Sequence, residues 1–439
     1  MKRACTVFLF SVCVLLMHAQ DVDSVMHVID TYNDRPEMAL DILNQALEDN
    51  PASEELLKVR ADVYENLKQF DKAVEDYKQL TRLSPDDETF WYLLGRNQFF
   101  NGDLQDAMRS LNRSTRLNSR YLPAFHTKTE VLLQLGQYDA ALRVSDSTLR
   151  IAGTARTYFL QGEVNSRLGA WQIAEWAYSS AVRIDKGFIE AYIALANITA
   201  NQNKAAETLE HAEAALAIDP DSKEALIARS RGFALRNDYY NAIEDISYVL
   251  EIYPDDVEAR FWRARYFNSS NRPQDAIRDF DHLLRLEPQN WHAIAGRADA
   301  YAKTGNKAVA QEGYEKLLEI AANFPESNTI IEFANTQIFE LHRENQPPVL
   351  TLTEPENENF EIIVDENLRS ITIRGIIQDD SPLKSLIING QNTTFVVIDD
   401  HWEFVALMAL ENVEEIMIEV TDLYDNVTQA KYKIVKNEE

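Results

Sequence analysis

Trp91-Tyr92-Leu93-Leu94-Gly95, followed by Ala107 and Leu111, is the stretch whose reading decides the fold. Counted from Glu88, Trp91, Leu94 and Gly95 stand at positions 4, 7 and 8 of a 34-residue unit, and Ala107 stands at position 20. Large apolar residues three and four apart make one stripe along a helix. A small residue inside that stripe lets a second helix come close. The stretch therefore predicts a pair of packed helices.

The same slots recur when Pro85, Pro220, Pro254 and Pro288 are used as marks. Nine units then begin near Gln20, Glu54, Glu88, Leu122, Ala155, Ile189, Lys223, Val257 and Trp291, the unit 122–154 being one residue short. Positions 8 and 20 hold Ala61 and Ala73, Gly162 and Ala174, Ser230 and Ala242, Ala264 and Ala276, and Ala298 and Ala310. The first unit fits least well, with His27 at position 8. Gly102, Gly136, Gly169, Asn237, Asn271 and Gly305 fall near position 15, where a left-handed residue ends the first helix. Ile330, Ala334, Ile338 and Leu341 form an apolar stripe with Glu332, Asn335 and Glu340 facing away, which predicts an amphipathic helix closing the stack over 325–346.

The pattern changes at Pro347-Pro348, which cannot continue a helix. Short extended runs follow: Val349–Thr353, Phe360–Val364, Ser370–Ile377, Leu386–Asn389, Thr394–Ile398, Glu403–Ala409, Glu415–Val420 and Gln429–Val435. Asn389-Gly390 is a hairpin signal. Strands about ten residues apart predict an antiparallel β-sandwich over 347–439.

These units, with Trp91, Leu94, Gly95, Ala107 and the prolines near position 32, resemble the tetratricopeptide-repeat (TPR) family over 20–324. The resemblance implies an α-solenoid of about nine helix pairs with a capping helix, and a small all-β domain after it. The β segment is similar to bacterial immunoglobulin-like domains of the glucodextranase accessory type. That likeness rests on Gly375, Asp379-Asp380-Ser381, Leu386-Ile387-Ile388-Asn389-Gly390, Trp402 and Val420-Thr421-Asp422-Leu423-Tyr424-Asp425-Asn426. Those domains often end on T-D-x-x-G-N; here Asp425 replaces the glycine.

Charge and cysteine usage bound the function. The chain has 439 residues and a formal charge of −28. Nucleic acid needs a basic face, and anionic lipid needs a cationic one, so neither is an expected partner. Residues 1–19 read as a secretory signal: Lys2 and Arg3, the apolar run Ala4 to Met17, then cleavage after Ala19. An uncleaved anchor is the other reading. Both cysteines, Cys5 and Cys13, lie in this leader, so the processed chain would hold no disulfide and no thiol ligand. Cysteine avoidance fits the periplasm or the outer surface.

No catalytic motif stands out: there is no H-E-x-x-H, P-loop, G-x-G-x-x-G or G-x-S-x-G, and the histidines lack ligand spacing. The expectation is a non-enzyme with no cofactor. The TPR resemblance implies that the first helices line a concave groove through positions 2, 5, 9, 12 and 13. Carried over, these slots hold Lys58 and Asp62; Tyr92, Arg96, Phe99 and Phe100; His126 and Glu130; and Phe159, Glu163 and Arg167. Further along they hold Ile193, Asn197 and Asn201; Arg231; Phe261 and Arg265; and His292, Asp299 and Lys303. From these, Tyr92, Arg96, Phe99, His126, Phe159, Arg167, Asn197, Arg231, Phe261 and Arg265 are the candidate partner-binding residues. Arg96, Arg231 and Arg265 share slot 9, where planar guanidinium forks suit carboxylates and the aromatics suit an extended peptide or helix. The plainer reading is that they pair with acids of adjacent units.

In the β segment Asp379, Asp380, Asp399, Asp400, Asp422 and Asp425 fall in expected loops. Oxygen-rich loops suit Ca2+, and aspartate also simply favours turns; the expectation is no metal. Trp402 and Phe404 share a face and read as core. The function expected is a non-catalytic protein-interaction scaffold of a bacterial cell envelope. The alternative is a glycan-binding or polysaccharide-processing accessory protein that uses the sandwich.

Overall fold

The computed structural model describes residues 35–322 and 328–437. The leader 1–19 and the helix expected around 22–31, with His27, lie outside the described residues. The chain forms two compact units, one up to Ser270 and one from Asn271.

The described part of the first unit is helical. It contains α1 (Pro36–Asp49), α2 (Glu54–Asn66), α3 (Phe70–Leu83), α4 (Glu88–Phe100), α5 (Leu104–Leu117), α6 (Leu122–Gln134) and α7 (Tyr138–Ile151). It continues with α8 (Ala155–Arg167), α9 (Trp171–Ile184), α10 (Ile189–Asn201), α11 (Ala205–Ile218), α12 (Lys223–Leu235), α13 (Tyr239–Ile252) and α14 (Val257–Ser269). The even-numbered helices are the first helices of the units, and each begins at the residue where the 34-residue count starts its unit.

The reason is local chemistry repeated in step. The side chains of Ser53, Asp87, Thr154, Ser222 and Asp256 accept hydrogen bonds from backbone N–H groups in the first turns of α2, α4, α8, α12 and α14. Gly102, Gly136, Gly169 and Asn237 take positive φ after α4, α6, α8 and α12. Lys68 (φ 57°) and Asn203 (φ 60°) take the same conformation in the units where the sequence shows no glycine. The helix contacts follow the small residues. A Cβ on Gly95 would stand 2.7 Å from Leu111 Cγ, and one on Gly162 would stand 2.5 Å from the Tyr178 ring. Ala107 and Ala174 are fully buried opposite them.

The second unit opens with α15 (Pro273–Leu286), α16 (Trp291–Lys303), α17 (Lys307–Ala321) and α18 (Asn328–His342). Asn271 and Gly305 again have positive φ. On α18, Ala334 is buried, and Ile330, Phe333, Ile338 and Leu341 pack against a cluster that includes Ile294, Ala298, Tyr314 and Leu317. Glu332, Asn335 and Glu340 are exposed.

Nine strands follow: β1 (Val349–Glu354), β2 (Glu361–Asp365), β3 (Ser370–Gln378), β4 (Leu383–Ile388), β5 (Gln391–Asn392), β6 (Phe395–Ile398), β7 (His401–Ala409), β8 (Glu415–Asp422) and β9 (Val427–Asn437). They form a four-stranded sheet, β1-β3-β7-β6, and a five-stranded sheet, β2-β9-β8-β4-β5. Inward residues alternate as a sandwich requires; Ile362, Ile373, Ile377, Ile416, Ile418 and Val420 are the centre of one core. Phe404 is buried in it and Trp402 is half-buried against it.

Two expectations are corrected. The sandwich is not wholly antiparallel, because β2 pairs with β9 in parallel, Ile362 opposite Ile434. The two segments lie far apart in sequence, so no hairpin turn forces an antiparallel pair. A ninth strand, β5, also appears. Asn389 (φ 45°) and Gly390 (φ 79°) make the tight turn that sets Ile388 against Gln391. Among the described residues, no helix is long and apolar enough to cross a membrane.

Candidate functional site

Slot 9 of the first helices holds Asp62, Arg96, Glu130, Glu163, Asn197, Arg231, Arg265 and Asp299. Its chemistry depends on the residue fifteen positions later, on the second helix. Where that residue is tyrosine, slot 9 is acidic. The Tyr77 hydroxyl donates to Asp62 at 2.7 Å, Tyr178 to Glu163 at 2.5 Å and Tyr314 to Asp299 at 2.6 Å. Burial, joined by the facing carboxylate, pushes each of these tyrosine pKa values up, so they stay donors. Where that residue is Leu111, Ile246 or Phe280, slot 9 is Arg96, Arg231 or Arg265.

The three arginines meet different fates. Arg96 lies over the Tyr92 ring and is paired with Glu65 of the preceding unit, so it is largely neutralised. Arg231 donates to two amides instead, Asn197 Oδ1 at 2.7 Å and Asn201 Oδ1 at 2.6 Å. It also lies 5.3 Å from the centre of the Trp262 ring. Burial lowers the Arg231 pKa from the ordinary arginine value. Arg265 is exposed and stacks over Trp262 at 5.0 Å and Phe261 at 5.6 Å. Among the described residues, neither Arg231 nor Arg265 forms an ion pair with an acid.

These two arginines line one cleft of about 290 Å³ with Trp262, Tyr266, Tyr239 and Asn203. α12 contributes Arg231, and α14 contributes Trp262, Arg265 and Tyr266. Trp262 stacks on Tyr266 with ring centres 5.9 Å apart, and the Tyr266 hydroxyl lies 3.2 Å from Ser230 Oγ. Burial raises Tyr266 to about 12. Two cations are held on aromatic faces, with neutral amides behind one of them, so the cleft presents guanidinium groups beside apolar rings, a chemistry that suits a carboxylate next to an apolar group.

The remaining candidates are dispersed. His126 Nε2 lies 2.9 Å from Thr157 Oγ1, and burial, with Arg156 beside it, lowers its pKa to about 4. Phe159 packs on Tyr178 and Phe188. Phe99 lies against Phe100, which lies against Phe70. Arg167 is exposed and has no ion pair among the described residues. The structure thus brings Asn197, Arg231, Phe261 and Arg265 to one place. Trp262, Tyr266 and Tyr239 escaped sequence reasoning. The Phe261-Trp262 doublet beside an arginine was the available signal.

In the β segment, Asp379 and Asp422 meet Glu344, with carboxylate oxygens within 4.8 Å of one another. Asp380, Asp399, Asp400 and Asp425 are not part of this group. Burial and the facing Glu344 raise the Asp379 pKa. Asp422 accepts hydrogen bonds from Tyr424 N (2.8 Å), Asn426 N (2.7 Å), Asn426 Nδ2 (2.7 Å) and Ser381 Oγ (3.4 Å). Those donors account for Asp422 as the brace of its own turn. Asp425 takes φ 64°, the left-handed place of the missing glycine.

Residues 54–97 and 263–327 each match a family model described as tetratricopeptide repeat. The chain carries tetratricopeptide repeats. No curated protein matches it. Among solved structures, the APC/C hetero-tetramer Cut9-Hcn1 is similar at 17% identity and a TM-score of 0.50, over 64% of this chain. The match spans 56% of that structure's chain. A tetratricopeptide repeat protein from Parabacteroides merdae ATCC 43184 is similar at 14% identity and a TM-score of 0.47, covering 56% of this chain and 98% of that one. At such identities the first likeness speaks for the fold alone. A tetratricopeptide fold suggests a protein–protein interaction scaffold.

Proposed function

We propose that this chain is an exported, non-catalytic scaffold of a bacterial cell envelope, and that it holds a partner protein or peptide against its first helices. The observation that carries the reading is the Arg231–Trp262–Arg265 cleft. A chain of −28 keeps two arginines there without acid partners, on aromatic faces. Such a cleft selects a carboxylate-bearing, partly apolar partner segment. Its test is recovery of partner proteins from an envelope extract on immobilised wild-type chain and on an Arg231→Glu, Arg265→Glu variant. The expected result is a loss of about tenfold or more in the recovered partner with an unchanged helical circular-dichroism signal. Equal recovery on both chains rejects the cleft.

The location rests on Lys2, Arg3, the apolar run to Met17 and the confinement of both cysteines to the leader. Cell fractionation with a mass measurement of the mature N-terminus tests it. A cytosolic chain with residues 1–19 intact rejects the envelope role and leaves the cleft to be judged separately. The glycan-binding alternative has less support, since the exposed large apolar side chains of β6 and β7 are aliphatic: Val396, Val397, Ile398, Val405 and Leu407.

A further inference from the structure

A second cleft, sharing no residue with the first, is lined by two second helices, α3 and α5, and by the first helix α4 between them in sequence. It measures about 650 Å³. α3 contributes Lys78 and Arg82, and α5 contributes Arg109 and Arg113. Each pair is four residues apart, so the two cations of a helix sit one turn apart on the same face. Trp91 and Leu94 of α4 line the same cleft. The Trp91 indole is fixed by donating to the Pro85 carbonyl at 2.8 Å.

The charge arithmetic is local. Four cations line the cleft against one acid, Asp106, in a chain of −28. Asp106 pairs with Arg109, and Asp86 pairs with Arg113 at 3.1 Å; both arginines are well exposed. Lys78 and Arg82 have no acid partner among the described residues. Two of the four cations, Lys78 and Arg82, are therefore uncompensated, and the other two are paired with acids at the surface.

We propose that this cleft docks a short acid-rich peptide segment of a partner protein, with an apolar side chain of the segment against Trp91. Two observations choose that occupant. The cations are spread in two rows along separate helices, which suits several carboxylates along a chain; a small anion needs donors that converge on one point. The rest of the chain is strongly acidic, so a long uniform polyanion is repelled outside the cleft while a short segment is not.

The test is fluorescence anisotropy of a fluorescein-labelled Glu-Glu-Leu-Glu-Glu peptide titrated with the full chain at low ionic strength. The expected result is saturable binding that weakens with added salt and is about tenfold weaker or more for Arg82→Glu with Arg109→Glu. Both positions are exposed, and circular dichroism checks that the variant folds. The Arg231→Glu, Arg265→Glu variant should keep saturable binding of this peptide that is still lost with Arg82→Glu and Arg109→Glu, which separates this cleft from the first-helix site. Three results overturn the proposal: equal binding by the Arg82/Arg109 variant; equal binding of a Gln-Gln-Leu-Gln-Gln peptide; or loss of binding in the Arg231/Arg265 variant. Concentration-dependent self-association abolished by the Arg82/Arg109 changes also overturns it, by giving the cleft to a second copy.

Discussion

The pairs α8–α9 and α12–α13 are built on one 34-residue plan and treat slot 9 in opposite ways. In α8–α9 the slot is Glu163, bonded to a buried tyrosine of its own second helix. In α12–α13 it is Arg231, facing Ile246 in sequence register and reaching to the preceding unit for its hydrogen bonds. The first arrangement uses the polar group up inside the pair. The second leaves a charged plane on the surface. One apolar-for-tyrosine exchange on the second helix thus accompanies the change from a carboxylate bonded inside its pair to an arginine without an acid partner.

The harshest way to break the closed arrangement is Gly162→Leu. A Cβ alone collides with the Tyr178 ring, and that ring is held by its hydroxyl, so we expect a loss of about 3 kcal/mol in urea unfolding. The same change at Gly95 should cost less, because Leu111 Cγ stands farther off, at 2.7 Å, and its side chain has no hydrogen bond to lose. Tyr178→Phe is the next test. It strands the half-buried Glu163 carboxylate and should cost about 1–3 kcal/mol, read from the same unfolding curves. A chain as stable as wild type would show that the bond is dispensable.

The neighbouring pair α6–α7 sharpens the comparison through pH. Its slot 9, Glu130, is taken by Arg156, which also stands near His126. Burial and that cation lower His126 from 6.5 to about 4. The folded state then binds the proton more weakly than the unfolded state. Stability contributed by neutral His126 is complete above pH 6.5 and is lost as pH falls toward 4. Melting temperatures should decline over that window, and His126→Gln should flatten the decline. The smallest effect belongs to the open arrangement: Arg265→Ala should shift stability by no more than about 0.5 kcal/mol in urea unfolding. A larger loss would make Arg265 a structural residue.

The repeat was legible because its signals are local. Small residues at positions 8 and 20 and left-handed residues near position 15 are read within one unit, so helix starts such as Ala155 and Lys223 follow from counting. Asn389-Gly390 announced its hairpin for the same reason. What stayed hidden depends on partners from elsewhere in the chain. Arg96 looks identical to Arg231 until Glu65, 31 residues earlier, is seen to reach it. Trp262 lies one place beyond the slots that were read. Glu344 joins Asp379 and Asp422 only because the segment after α18 packs against two loops of the sandwich. The parallel β2–β9 pair likewise has no signature in either segment.

That last pairing carries a consequence for synthesis. β9 lies between β2 and β8 in the five-stranded sheet, so it fills the middle rather than an edge. A nascent chain on the ribosome has every earlier strand available yet cannot close this layer until the residues up to Asn437 have emerged. A product cut short before Val427 would display two raw strand borders at once, which marks it for proteolytic clearance before it can compete with the finished protein.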